Sequence, residues 1–154
     1  MNYWIMKSEP SVFGIDDLIK CKNQTEPWDG IRNYQVRNMI RDQMQPGDLA
    51  LFYHSNCKVP GIVGLMEIVS EAYPDPTAFD PTHRYFDPKS NPDKPRWFLV
   101  DVKFVRKFNN TLPLSLLRDT PALDGLKLLA KGNRLSITPV TPEYWQILLD
   151  MEPY

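Results

Sequence analysis

The segment WDGIRNYQ, residues 28 to 35, places a large aromatic, a carboxylate and a glycine turn just ahead of a guanidinium and a helix start. That combination suits a planar, polar ligand. Trp28 offers a π-face, and the Asp29–Gly30 turn lets backbone N–H and C=O groups reach a bound molecule. Arg32, beside the N-terminus of a helix, suits a phosphate, and Arg37 extends the same cationic edge. Tyr34, Tyr53, Tyr73, Tyr85 and Trp97 fall in loops or at expected strand ends. There they can wall a pocket for an extruded nucleobase, each stacked base contributing roughly 1–3 kcal/mol. Trp4, Phe98, Phe104 and Trp145 read as ordinary core.

Catalytic signatures are missing. The chain has no GxSxG, Walker A, HExxH or GxGxxG-after-strand pattern. His54 and His83 are its only histidines. His54 lies next to Ser55, but adjacent strand residues point to opposite faces and make a poor nucleophile–base pair. Asp16–Asp17, Asp80 and Asp87 read as helix-start charges and turn caps. Cys21 and Cys57 stand apart, without CxxC or a His/Cys cluster at metal-ligand spacing, so no metal and no organic cofactor is expected. Reduced thiols and an N-terminal run that soon meets Lys7 and Pro10 suggest a cytoplasmic protein without a secretory leader. No apolar run approaches a membrane span. With a formal charge of −1 over 154 residues, any nucleic-acid contact must come from a local patch rather than a global basic field.

The elements that would position these residues follow from pattern. NYWIMK reads as a first strand, and SVFGIDDLIK as a short helix capped by Ser11. Residues 21 to 27 look like loop. In YQVRNMIRDQM, Val36, Met39, Ile40 and Met44 share one helical face and Asn33 is placed to cap it. LALFYH and GIVGLMEIVS form an expected antiparallel pair, with Gly61 and Gly64 marking a bulge or a close backbone approach. Residues 73 to 96 carry repeated prolines and several aromatics, the mark of an ordered functional loop. WFLVDVKFVRKF alternates as a strand. PLSLLRD and ALDGLKLLAK suggest short helical pieces, RLSITPV a last strand, and TPEYWQILLDM a closing helix with Thr141 as N-cap and Pro142 at N1. Strands scattered among short helices, without a βαβ rhythm, indicate an α+β domain spanning residues 1–154.

Taken in order, YWIMKSEP, WDGIRNYQVRN, GDLALFYHSN, PGIVGLMEIVSEAYPDPTAFDP, PRWFLVDVKF and RLSITPV resemble the EVE domain family, over nearly the whole chain. EVE domains include the thymocyte nuclear protein family and free-standing bacterial proteins. The resemblance implies a PUA-like fold, a curved mixed β-barrel of about five to six strands with surrounding short helices, akin to ASCH and YTH domains. It also implies binding of a modified base, cytosine or adenine, in DNA or RNA. Lys7, Ser8 and Glu9 should edge the pocket. Trp28 should wall it, with Asp29 and Gly30 as contacts and Arg32, Asn33 and Tyr34 on the rim. His54, Ser55, Asn56, Pro60 and Gly61 should close the opposite side.

The expected function is thus a non-catalytic, monomeric reader whose partner is nucleic acid and which needs no membrane. A small hydrolase or transferase acting on a nucleotide-like molecule, with His54, Asp29 and Glu9 as acid/base groups, is the alternative. A protein-interaction role for the proline-rich loop is a third.

Overall fold

The computed structural model describes residues 1–152. Its frame is a six-stranded mixed sheet ordered β2-β7-β4-β3-β1-β8, where β1 is Tyr3–Ser8, β2 Thr25–Pro27, β3 Leu49–His54, β4 Gly61–Ile68, β7 Asp101–Pro113 and β8 Ile137–Val140. β5 (Tyr73–Pro74) and β6 (Phe98–Leu99) pair separately. The helices are α1 (Pro10–Phe13), α2 (Ile15–Lys20), α3 (Tyr34–Asp42), α4 (Leu114–Arg118) and α5 (Pro142–Asp150). Only β1 and β3 are parallel, with Ser8 opposite His54; every other neighbour pair in the large sheet is antiparallel.

Strand alternation divides the apolar residues between two cores. Trp4, Met6, Ala50 and Phe52 pack with Trp28 and the buried side of α3, while Ile5, Leu51 and Tyr53 pack with α4 and α5 on the other face. The buried Asp48 carboxylate fixes the first core's edge, accepting from Trp4 Nε1 and from the backbone N–H groups of Asn2 and Gln45. Register shifts between Phe52 and Tyr53 in the β3–β4 pairing, and twice between β4 and β7, are bulges of the kind that steepen a sheet's curl. Both edge strands carry a proline, Pro27 and Pro139, which blunts them against further pairing. The result is a curled half-barrel with short helices around it.

Several local expectations stand. Asn33 caps α3 by accepting from Val36 N–H, and Thr141 caps α5 ahead of Pro142. Asp80 and Asp87 cap turns through the Thr82 and Lys89 amides. Others need correction. The expected helix over SVFGIDDLIK is two, because Gly14 adopts an extended conformation between them; the first begins at Pro10, so Ser11 is not its cap. The supposed loop of residues 21 to 27 contains β2, recruited by β7 rather than by its own propensity. WFLVDVKFVRKF breaks at Val100, and β7 continues to Pro113. ALDGLKLLAK forms two 3-10 turns.

Gly64 lies at a close strand crossing. A Cβ there would collide with Ile15 Cδ1 and lie 2.7 Å from the Arg106 carbonyl oxygen. Backbone cannot yield as a side-chain tip can, so Gly64→Ala is expected to destabilise by about 1–3 kcal/mol, read as a lower urea midpoint at unchanged slope.

Candidate base-binding cavity

A cavity of about 540 Å³ opens where β1 and β3 end, within the size range of small-molecule sites. Its walls come from both ends of the strand order. Lys7 and Ser8 close β1, and Ser136 precedes β8; Pro27 ends the opposite edge strand β2 and Trp28 follows it. The curl of the sheet is what brings these edges together.

Backbone hydrogen bonds set the floor. Ser55 N–H donates to Ser8 O at 3.0 Å, Lys7 N–H donates to Ser136 O at 2.8 Å, and Ser8 Oγ donates to Phe13 O at 2.7 Å. Trp28 is held by its N–H to Val100 O and by edge-on packing against Phe52, centroids 5.4 Å apart. It is only 6% exposed, so it is at once core and cavity wall.

The mouth is built by long-range contacts. Asp75 is fully buried, and its carboxylate accepts from Gly30 N–H (2.9 Å), Arg32 Nη1 (3.2 Å), Thr77 N–H (2.9 Å) and Thr77 Oγ1 (2.6 Å). Burial alone would raise its pKa, but the Thr77, Gly30 and Arg32 donors outweigh that and hold it below the ordinary carboxylate value. Arg32 in turn donates from Nε and Nη2 to Tyr85 O, at 3.1 and 2.6 Å, fixing Tyr85 over the turn. Gly30 has φ +84°, and a Cβ on it would lie 2.6 Å from the Tyr85 ring. Both the left-handed backbone and the close approach require glycine there.

Of the residues expected at the site, Lys7, Ser8, Glu9, Trp28, Asp29, Gly30 and Ser55 line the cavity. Arg32, Asn33, Tyr34, His54, Asn56, Pro60 and Gly61 do not. Arg32 is committed to Asp75 and Tyr85, and Asn33 to its helix cap. Tyr34 stacks on Trp97 at 4.9 Å outside the cavity, and Arg37 Nη1 donates to Arg96 O. Asn56 acts through another residue, donating from Nδ2 to Glu9 Oε1 at 2.9 Å. The Pro60 carbonyl accepts from Leu114 N–H, and Gly61 packs against the Leu112 backbone. His54 Nε2 accepts from Ile15 N–H at 3.1 Å, and burial lowers its pKa; its lone pair is therefore engaged in positioning α2 rather than free as a base.

Tyr85, among the aromatics expected to wall a pocket, lines the cavity, whereas Tyr34, Tyr53, Tyr73 and Trp97 do not; sequence reasoning missed Phe13, Ile31 and Glu26, and also His83, Arg84, Arg134 and Ser136. Among the described residues, the side chains of Lys7, Arg84 and Arg134 form no ion pair, and Arg84 lies over the Tyr85 ring at 5.1 Å. These cations take the place at the mouth that Arg32 and Arg37 were expected to hold. Burial lowers the pKa of Lys7. No group of three or more His, Cys, Asp or Glu side chains among the described residues is placed to hold a metal ion, and no helix there is long and apolar enough to cross a membrane.

A curled half-barrel with a polar, aromatic-walled cavity at its strand ends is a PUA-like domain. The EVE domain model matches residues 2–151. Thymocyte nuclear protein 1 of Homo sapiens is 46% identical over 167 residues, covering 98% of this chain and 74% of its own length. The crystal structure of human THYN1 in complex with 5-methylcytosine-containing DNA superposes with a TM-score of 0.93 at 43% identity, covering 100% of this chain and 99% of that one. A crystal structure of a Pseudomonas putida protein gives 0.92 at 46% identity, over 97% and 98%. The chain belongs to the EVE domain family.

Removing the Asp75 carboxylate takes the charge partner from Arg32 Nη1 and the acceptor from the Gly30 and Thr77 amides. Asp75→Ala is expected to cost about 1–3 kcal/mol and to raise amide exchange at Gly30 and Thr77. Because its folded-state pKa is depressed, its stabilisation is present above the unfolded value of ~3.9 and is lost as pH falls through the folded one. Asp75→Asn should accordingly flatten the acid limb of stability below about pH 4.

Proposed function

We propose that this protein is a non-catalytic reader that binds a modified cytosine or adenine, extruded from a DNA or RNA strand, in the cavity between Trp28 and Tyr85. The observation that carries the reading is the cavity itself. It pairs aromatic walls with a few polar groups at its floor, Ser8, Glu9 and Asp29, and with unpaired cations at its mouth. An extruded base needs the first two, and the phosphates on either side of it need the third. The near-identical architecture of human THYN1, whose structure contains 5-methylcytosine DNA, supports the same use here. A hydrolytic role has less support, since His54 is spent on α2 and the Glu9 carboxylate is tied to Asn56.

Binding to short DNA and RNA oligonucleotides, each carrying one plain or modified base, tests the reading. One modification should bind selectively. Trp28→Ala should lose the roughly 1–3 kcal/mol of one stacked base. Since that variant also opens the core, Trp28→Phe serves as the folded control and should lose less. Arg84→Ala and Arg134→Ala should weaken all oligonucleotides alike and each reduce the salt slope by about one. Equal affinity for every base, or a Trp28→Ala protein that is folded and binds normally, would overturn the proposal.

A further inference from the structure

A second hollow, a groove of about 580 Å³, lies behind one wall of the cavity. Its sides are α3, through Gln35 and Asn38, and the turn of residues 127–133. Residues 133 to 136 separate the two spaces: Arg134 and Ser136 line the cavity, whereas Asn133 and Leu135 line the groove. No carboxylate lines the groove. Its polar side chains are amides and the ammonium groups of Lys127 and Lys131, and neither lysine has an ion-pair partner among the described residues. Asp42, the one acidic residue of α3, is paired with Arg41.

The turn that carries the lysines is braced. Asn133 donates from Nδ2 to Lys127 O, accepts at Oδ1 from Leu135 N–H at 2.9 Å, and donates its own N–H to Ala130 O at 3.0 Å. Gly132, with φ +77°, supplies the left-handed position within it. The two lysine side chains take no part in these bonds and stand exposed. Across the groove, Asn38 accepts at Oδ1 from Arg37 Nε (2.8 Å) and Arg41 Nη2 (3.4 Å), which leaves its Nδ2 amide as a donor. Cations on a fixed turn face amide donors on a fixed helix, an arrangement that costs a ligand little further ordering.

Resting on the reader function above, we propose that this groove is the track for the sugar–phosphate backbone on one side of the extruded base. Lys127 and Lys131 each hold a phosphate there, and the amides of Gln35 and Asn38 donate to phosphate oxygens. The lining selects a polyanion, since it offers donors and two cations and no carboxylate to repel one. Those charges alone would also suit an acidic peptide; the wall shared with the base cavity favours the strand. A strand that leaves the cavity past Arg134 crosses residues 133 to 136 and meets the groove next. Backbone contacts carry no sequence information, so the track adds affinity and fixes the strand's direction while the cavity reads the base.

The experiment measures binding of DNA duplexes carrying one 5-methylcytosine or one cytosine at a fixed position, over a range of salt concentrations. Single phosphates of the same strand are replaced by neutral methylphosphonates. In the wild type, replacements beyond the adjacent phosphate should weaken binding on one side of the base and have no effect on the other. Lys127→Ala combined with Lys131→Ala should lower the salt slope by about two. It should also abolish the effect of those replacements and leave the preference between 5-methylcytosine and cytosine unchanged. Both side chains are exposed, so the urea midpoint should not move. Asn38→Asp keeps an acceptor for Arg37 and Arg41 but sets a carboxylate in the groove, and should weaken every duplex alike. An unchanged salt slope in the double variant, or replacements whose effect persists in it, would overturn the inference and leave the reader function standing. An acidic peptide bound by the wild type and not by the double variant, with that unchanged DNA slope, would assign the groove to a protein partner instead. Absence of binding to all of these duplexes would overturn the inference, and absence extended to the RNA strands above would overturn the reader function with it.

Discussion

The buried Asp75 carboxylate is the constraint on which the cavity depends. A fully buried charge must be met by donors, and here they come from two segments far apart in sequence. Gly30 and Arg32 bring the turn after β2, and Thr77 brings the start of the long loop. Those bonds close the loop over the sheet. Arg32, once oriented, has two N–H groups left for the Tyr85 carbonyl, so the same carboxylate indirectly sets the aromatic lid of the cavity. Each contact presupposes the one before it. The order explains why the left-handed turn carries glycine, since the Tyr85 ring occupies the space a side chain would need.

The sheet supplies the other half of the geometry. Making β1 and β3 parallel aligns their ends, so Ser8 and His54 stand side by side and Ser55 can bond back to Ser8. Alternation along the strand then separates neighbours: Ser55 lines the cavity, whereas His54 turns toward α2. Bulges between β4 and β7 curl the sheet until the edge strand β2 faces β1 and β8 across the cavity. A flatter sheet with the same residues would leave Trp28 and Ser136 on opposite sides of the molecule.

Local chemistry was legible in the sequence wherever the signal was local. Asn33 and Thr141 cap the helices they precede, β3 occupies the apolar run that announces it, and the aromatic–carboxylate–glycine turn lies at the cavity. The site was misread where a residue's partner lies far away. Arg32 looked like a phosphate seat because nothing near it in sequence claims its guanidinium; the claimant is an aspartate 43 residues on. One signal pointed to it, a lone aspartate between two prolines in the loop, too rigid and too polar to be mere surface. Arg134 and Ser136 carried no such signal. They reach the cavity only through the sheet's curl, which has no sequence period.

Charge placement resolves how a chain with almost no net charge could engage a polyanion. Several acidic groups are buried or paired. Asp48 and Asp75 are buried and bonded, Asp16 is paired with Lys107, and Asp42 with Arg41. Lys7, Arg84 and Arg134 face the cavity mouth without such partners. The field a strand meets on approach is set by the unpaired charges nearest to it, since salt screens the remainder within about 8–10 Å. In the proposed reader, cations at the rim hold the phosphates outside and the uncharged base passes inward, which leaves discrimination to the groups that touch the base.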